Sequence, residues 1–276
     1  MMPVRYNPVA KRHVFLAGGK LPPHLSKIRI PPAWTDVQVH TAKEEPLWVK
    51  GKDAKGRQQS IYSPKHDTMR DAAKFRRVGE LESRVNVIAK RNEKNRNDPD
   101  KVDHADATKL IMHTGIRPGS DKDTGGEKKA YGATTLLGKH VIQDDDGVSL
   151  KFTGKKGVDL TIPVSDKGIA DNLVSRAAKA GPDGKLFPNT SSSQLLSYTH
   201  SIGGAIKTKD FRTLLANRIA KEQVEKLGEC CANEKDLKKA TKTVAMAVAH
   251  ELGNTPAVAL KSYINPHVFS SWKVAA

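Results

Sequence analysis

The front of the chain carries short apolar runs broken by glycine and proline. Residues 28–32 (IRIPP), 37–39 (VQV), 47–49 (LWV) and Gln58–Tyr62 (QQSIY) have the length and the β-branched and aromatic content of strands. The turn residues between them predict a small antiparallel sheet. From about Asp67 the apolar period becomes helical, through MRDAAKFRRVGEL and LESRVNVIAKRNEKN, and the run ends in charged residues before Pro99. This change of period places a domain boundary near residue 78. The expected fold is α+β, with a β-rich domain over 1–78 and a larger, mainly helical domain over 79–276.

Within the larger domain, residues 104–114 (HADATKLIMHT) have helical spacing and stop at Gly115, with Arg117 directly after. Residues 149–152 and 158–164 read as strands around Gly154-Lys155-Lys156-Gly157, which puts Lys155 at a hairpin tip. Thr208 opens a helix whose stripe is Phe211, Leu214, Leu215 and Ile219 and whose end is Gly228; Arg212 sits beside that stripe. Residues 241–252 repeat the pattern with Val244, Val248 and Leu252 and end at Gly253. Thr255 and Pro256 then supply cap and first-turn signals for a short last helix bearing Tyr263.

Charge adds a partner to this outline. The 276 residues hold 47 Lys and Arg against 30 Asp and Glu, a net charge of +17 that favours a polyanion, with nucleic acid as the first choice. Residues 1–77 carry 16 basic and 6 acidic residues, so the excess is concentrated at the front. No apolar run reaches the ~20 residues of a membrane helix, and the start lacks the apolar core of a signal peptide. Cys230 and Cys231 are adjacent, badly placed to bridge each other, and too few for a cysteine zinc cluster. A protein of a reducing cytoplasm is expected.

Cleaving a phosphodiester with a side-chain nucleophile needs a hydroxyl, cations for the non-bridging oxygens and an acid for the departing sugar oxygen. A tyrosine, two arginines and a lysine supply these, with arginine's planar fork suited to two phosphate oxygens at once. Chemistry alone does not select them among 47 basic residues. Arg117 also reads as a helix-terminal residue bonding carbonyls, Lys155 as a turn lysine no different from Lys156, Arg212 as a salt-bridging helix residue, and Tyr263 as a core tyrosine.

The order of motifs IPPAWTDV, GKDAKGRQQ, KFRRV, TGIRPGS, YGATTLLGKHV, KFTGKKG, KDFRT and GNTPAVALKSYINP resembles the type IB DNA topoisomerases, in their short bacterial and poxvirus-like form, over most of the chain. The resemblance implies a clamp on double-stranded DNA that relaxes supercoils through a 3′-phosphotyrosyl intermediate, with no ATP, metal or other cofactor. It puts the two active-site arginines on Arg117 and Arg212, the general acid on Lys155 and the nucleophile on Tyr263. Asn254 stands where many members have a histidine, so an amide replaces a donor that can carry charge. His250, one turn earlier, reads as a helix-surface residue. The DNA contacts implied at the front are Arg57, Gln59 and Tyr62, with Ser60 in place of a family tyrosine, and Lys209 assists at the phosphate. A looser sequence preference than that of the poxvirus members follows, in a monomer associated with the nucleoid. The rival is a tyrosine recombinase, whose second arginine usually sits in HxxR; here Lys209-Asp210-Phe211-Arg212 breaks that pattern.

Overall fold

A computed structural model describes residues 1–121, 128–229 and 233–272. Cys230 and Cys231 lie outside the described residues. The chain divides into two compact units, Met1–Lys74 and Phe75–Ala276. The break follows Lys74, a few residues before the boundary expected near 78 and inside a continuous helix, α2 (Pro64–Asn95).

The first unit is built on five antiparallel strands, β1 (Met2–Asn7), β2 (Arg12–Phe15), β3 (Thr35–Val39), β4 (Leu47–Lys52) and β5 (Gln58–Tyr62), in the order β2-β1-β3-β4-β5. The short β-type runs between turn residues predict β3, β4 and β5. They miss β1 and β2, whose polar and proline-interrupted sequences (MPVRYN, RHVF) bury little. Residues 28–32, expected as a strand, are not one. Ile28 N–H closes the short helix α1 (Pro23–Ser26) by bonding Leu25 O at 3.1 Å, and Pro31 and Pro32 have no N–H to give a ladder. Ile30 is buried nonetheless, with Val4, Leu25, Val37, Val39, Trp48 and Val49.

The second unit is mainly helical. The α2 stripe Val78, Leu81, Val85, Ile88 faces a core shared with α3 (Val102–Thr114), α4 (Lys167–Ala180), α5 (Ser192–Gly203) and the front of α6 (Thr208–Leu227). Full burial of a side chain such as Leu110 or Ile111 stabilises by roughly 1.5–3 kcal/mol. A three-stranded antiparallel sheet, β6 (Val141–Asp144), β7 (Gly147–Thr153) and β8 (Asp159–Pro163), contributes Leu150 and Phe152 to the same core. The hairpin over β7 and β8 was expected; β6, α4 and α5 were not.

A second cluster joins the back of α6, through Ala216, Ala220 and Val224, to α7 (Glu234–Leu252) and α8 (Pro256–Ser262). Helix α7 starts seven residues before the expected 241, because Asn233 caps it by accepting from Asp236 N at 3.0 Å. The apolar Val244, Val248 and Leu252 are buried as the spacing requires. Between helices, Arg176 donates to Asp103 and Asp106 at 2.6 Å each and to Leu186 O at 2.9 Å, pinning α4 to α3. Among the described residues no helix is long and apolar enough to cross a membrane.

Candidate active site

Arg212 lies where the two clusters of the helical unit meet. Its neighbours Phe211 and Leu214 belong to one and Leu215 and Ala216 to the other, and only 3% of it is exposed. The guanidinium is held by neutral oxygens: Nη1 donates to Gly115 O and Nη2 to Leu252 O, both at 2.5 Å. These two carbonyls close helices α3 and α7, so each helix end is satisfied by the arginine that it positions. Gly115 makes the approach feasible. It has φ +63°, and a Cβ there would lie 2.9 Å from Leu215 Cδ2 and 3.0 Å from Leu252 Cδ2. Among the described residues Arg212 Nε is buried without a partner, a donor still to be satisfied. Burial, then repulsion from Arg117, pushes the Arg212 pKa down to about 10, which leaves it charged at neutral pH.

Tyr263 caps the C-terminus of α8, donating its N–H to Ala259 O at 3.0 Å. Its ring lies 5.1 Å from the Arg212 guanidinium, in cation–π range. Burial alone would raise the phenol. The charges of Arg212 and then Arg117 outweigh it and bring the phenol below its ordinary value. Arg117 follows α3 and is held through its backbone: Ala133 N donates to Arg117 O at 2.8 Å, and Thr134 N and Oγ1 both reach Pro118 O. Gly132 permits this contact, because a Cβ there would sit 2.5 Å from Arg117 O. The motifs TGIRPGS and YGATTLL are thus laced together.

Lys155 stands in the turn between β7 and β8, exposed, and shares one small cleft with Arg117, Arg212, Tyr131, Phe152 and Leu160. Its neighbour Lys156 takes a left-handed backbone, φ +67°, so the two lysines that composition could not separate differ in conformation. Asn254 follows Gly253, the residue after the carbonyl of Leu252 that holds Arg212. Both atoms of its carboxamide are buried with no partner among the described residues. A buried, unsatisfied amide costs about 1–3 kcal/mol, and a ligand able to accept and donate there would relieve it. His250 is 87% exposed by side chain, with Nδ1 3.6 Å from the Glu251 carboxylate. Lys209 is exposed in the first turn of α6.

Two features of this site were not read from the sequence. Asn217, 5% exposed, donates to Tyr263 O at 2.9 Å and to Thr213 O at 2.7 Å, and accepts from Asn265 N at 2.8 Å. It ties the tyrosine segment to the helix that carries Arg212. The available signal was a polar residue in mid-helix at a position that the stripe buries. Asp210, fully buried, takes Arg77 Nε at 3.0 Å and its own helix's Lys207 N–H at 3.0 Å. It joins KFRRV to KDFRT, two motifs quoted above with no reason for their pairing.

In the β-rich unit, Gln59 and Tyr62 fall on opposite faces of β5, because successive strand residues alternate. Tyr62 stacks on His66 with ring centroids 4.5 Å apart and leaves 37% of its surface exposed. Gln59 shares the half-buried face of Ile61 and donates Nε2 to Asp53 at 2.9 Å. Arg57 binds the same carboxylate, Nη2 to Oδ2 at 2.7 Å.

Residues 58–270 match the family described as eukaryotic DNA topoisomerase I, catalytic core. The chain is 26% identical over 259 residues to the DNA topoisomerase 1B of Acanthamoeba polyphaga mimivirus, covering 87% of this chain and 76% of that protein. It is 27% identical over 256 residues both to the DNA topoisomerase I of Monkeypox virus and to the DNA topoisomerase 1B of Vaccinia virus strain Copenhagen, covering 87% of this chain and 78% of each.

Proposed function

The chain belongs to the type IB DNA topoisomerases, isomerases that act on DNA, and from that premise we propose that Tyr263 is its nucleophile, with Arg117, Lys155, Arg212 and Asn254 as its partners. The observation that carries this reading is the Tyr263 ring 5.1 Å from a buried, charged Arg212, with Arg117 as the second cation acting on the phenol. The phenol loses its proton to solvent and its oxygen attacks phosphorus. The bond to the 5′-oxygen breaks as a 3′-phosphotyrosyl bond forms, and Lys155 supplies the proton that the 5′-oxygen takes up. The two guanidinium groups and the Asn254 amide stabilise the negative charge on the non-bridging oxygens, which grows in the transition state. The covalent link conserves the energy of the phosphodiester, so the 5′-hydroxyl reseals the strand without ATP. The arginines supply the electrostatic stabilisation, and no metal or other cofactor enters the scheme.

Lys209, Arg57, Gln59 and Tyr62 are assigned to binding the duplex. We place the chain in the short bacterial branch, as a monomer acting on nucleoid DNA in the cytoplasm. Asn254 in the place of a histidine supports that placement, while the relatives named above are viral.

Relaxation of a supercoiled plasmid with no special site, in EDTA and without ATP, tests the scheme. The wild type should relax it and leave a protein–DNA adduct trapped by detergent. Tyr263→Phe should lose both, by roughly a thousandfold or more. An adduct that survives in Tyr263→Phe assigns the nucleophile elsewhere. A need for paired sites, with exchanged products, would indicate recombinase chemistry.

A further inference from the structure

The turn between β4 and β5 is organised by one side chain. Asp53 Oδ1 accepts from the backbone of Lys55 and of Arg57, each at 3.0 Å. Oδ2 accepts from Arg57 Nε at 2.8 Å, from Arg57 Nη2 at 2.7 Å and from Gln59 Nε2 at 2.9 Å. The backbone closes the same loop, with Asp53 N to Arg57 O at 2.9 Å and Gly56 N to Asp53 O at 2.8 Å. The Asp53 side chain is only 15% exposed, although the turn around it is open. Hydrogen bonding by Arg57, ahead of the other donors, holds its carboxyl down to about 2, so it is ionised at any working pH.

An ionised carboxylate only accepts hydrogen bonds, whereas a glutamine carboxamide has a donating end and an accepting end. With Asp53 beside it, Gln59 has a single sensible orientation. Nε2 faces the carboxylate, since the reverse would set two acceptors against each other. The chain therefore fixes which end of the amide points outward, before any DNA arrives.

We propose that Asp53 is a specificity-determining positioning residue: by holding Gln59 Nε2 it turns Oε1 outward as an acceptor, so that β5 favours bases with an exocyclic amino group in the major groove. Those bases are adenine, through N6, and cytosine, through N4. Adenine takes the outward oxygen together with the remaining N–H; guanine and thymine present a carbonyl oxygen that Oε1 repels. The inference rests on the assignment of β5 to the duplex. It adds the device that sets the polarity of the reading, a role for Asp53 rather than another contact.

The experiment maps cleavage positions of the full-length protein on duplexes randomised around the cut, for the wild type, Gln59→Ala, Asp53→Asn and Asp53→Glu. In the wild type one position should favour A and C over G and T by roughly fivefold or more, the low end for a well-made side-chain–base pair. Gln59→Ala should flatten that position. Asp53→Asn can donate as well as accept, so it frees Gln59 to turn over. It should flatten or invert the same position while total cleavage changes less than at the position itself. Asp53→Glu retains an acceptor-only group and should keep the sign of the preference. The side-chain amide protons of Gln59, followed by NMR in the DNA-free protein, should exchange slowly in the wild type and fast in Asp53→Asn.

If Gln59→Ala flattens the position while Asp53→Asn leaves it as in the wild type, Asp53 does not orient the reader and the proposal is overturned. If Gln59→Ala alters no position, β5 does not read through Gln59, and the proposal falls together with that assignment. Should Asp53→Asn unfold the turn, the Asp53→Glu profile decides: a preference lost there as well, with the turn folded, overturns the proposal.

Discussion

The β4–β5 hairpin tip and the seam around Arg212 hold their polar groups in opposite ways. At the tip an anion is central, and Asp53 gathers Arg57 and Gln59 so that the Arg57 charge is matched by its neighbour. At the seam a cation is central, and Arg212 is gripped by the carbonyls of Gly115 and Leu252, which fix its geometry without cancelling its charge. A carboxylate partner would have held the guanidinium as firmly but would have left little field for a phosphate. The hairpin is therefore an orienting device, set by which atoms face outward. The seam is an electrostatic one, set by how much uncompensated charge faces the phenol.

The contrast would break first at Arg212. Arg212→Lys keeps the charge but loses the fork that spans both carbonyls, and should slow cleavage roughly 10²–10³-fold in single-turnover assays. A loss below tenfold would mean that geometry matters less there than charge.

The next test is the phenol. Wild-type Tyr263 should ionise below the ordinary tyrosine value of 10.0, so the cleavage rate should climb with pH and level off before that value. Arg117→Ala removes one of the two charges that lower the phenol, while burial still raises it. The levelling point should then move to higher pH, with the rate at neutral pH falling accordingly. An unmoved profile would leave Arg117 outside the electrostatics of the seam.

A smaller effect is expected at Asn254. Asn254→His adds a donor that is cationic below about pH 6.5 and should raise cleavage a few-fold, most at the acid end of the range. Slower cleavage would contradict the view of the asparagine as the weaker donor. The smallest effect belongs to the hairpin. Asp53 has its pKa depressed in the folded state, so its contribution to stability is complete above an ordinary carboxylate's 3.8 and is lost as pH falls towards about 2. Thermal unfolding between pH 5 and pH 2.5 should show a slope that Asp53→Asn reduces. Equal slopes would separate the turn from the stability of its unit.

Much of this molecule was legible from one dimension. Short β-branched and aromatic runs between turn residues identified β3, β4 and β5, and helical stripes with glycine stops identified α3, α6 and the end of α7, because the burial of those elements is written in their residues. The chain order of TGIRPGS, KFTGKKG, KDFRT and KSYINP was enough to nominate Arg117, Lys155, Arg212 and Tyr263. Residues 28–32 misled because apolar content marks burial, which Ile30 does have, while two prolines deny the ladder that makes a strand. Strands β1 and β2 were missed for the converse reason: they pair through backbone that any sequence supplies.

What only the tertiary structure decided is the surroundings of those groups. No spacing announces that carbonyls from two distant helix ends, Gly115 and Leu252, grip Arg212, or that Asn217 clasps the backbone at Tyr263 from 46 residues away. Hydrogen bonds of this kind are made to the main chain, which is chemically the same at every position and leaves no trace in the residue that accepts. The sequence by itself determined which side chains are available for phosphoryl chemistry. The folded chain decided how those side chains are held and which of them share one cleft.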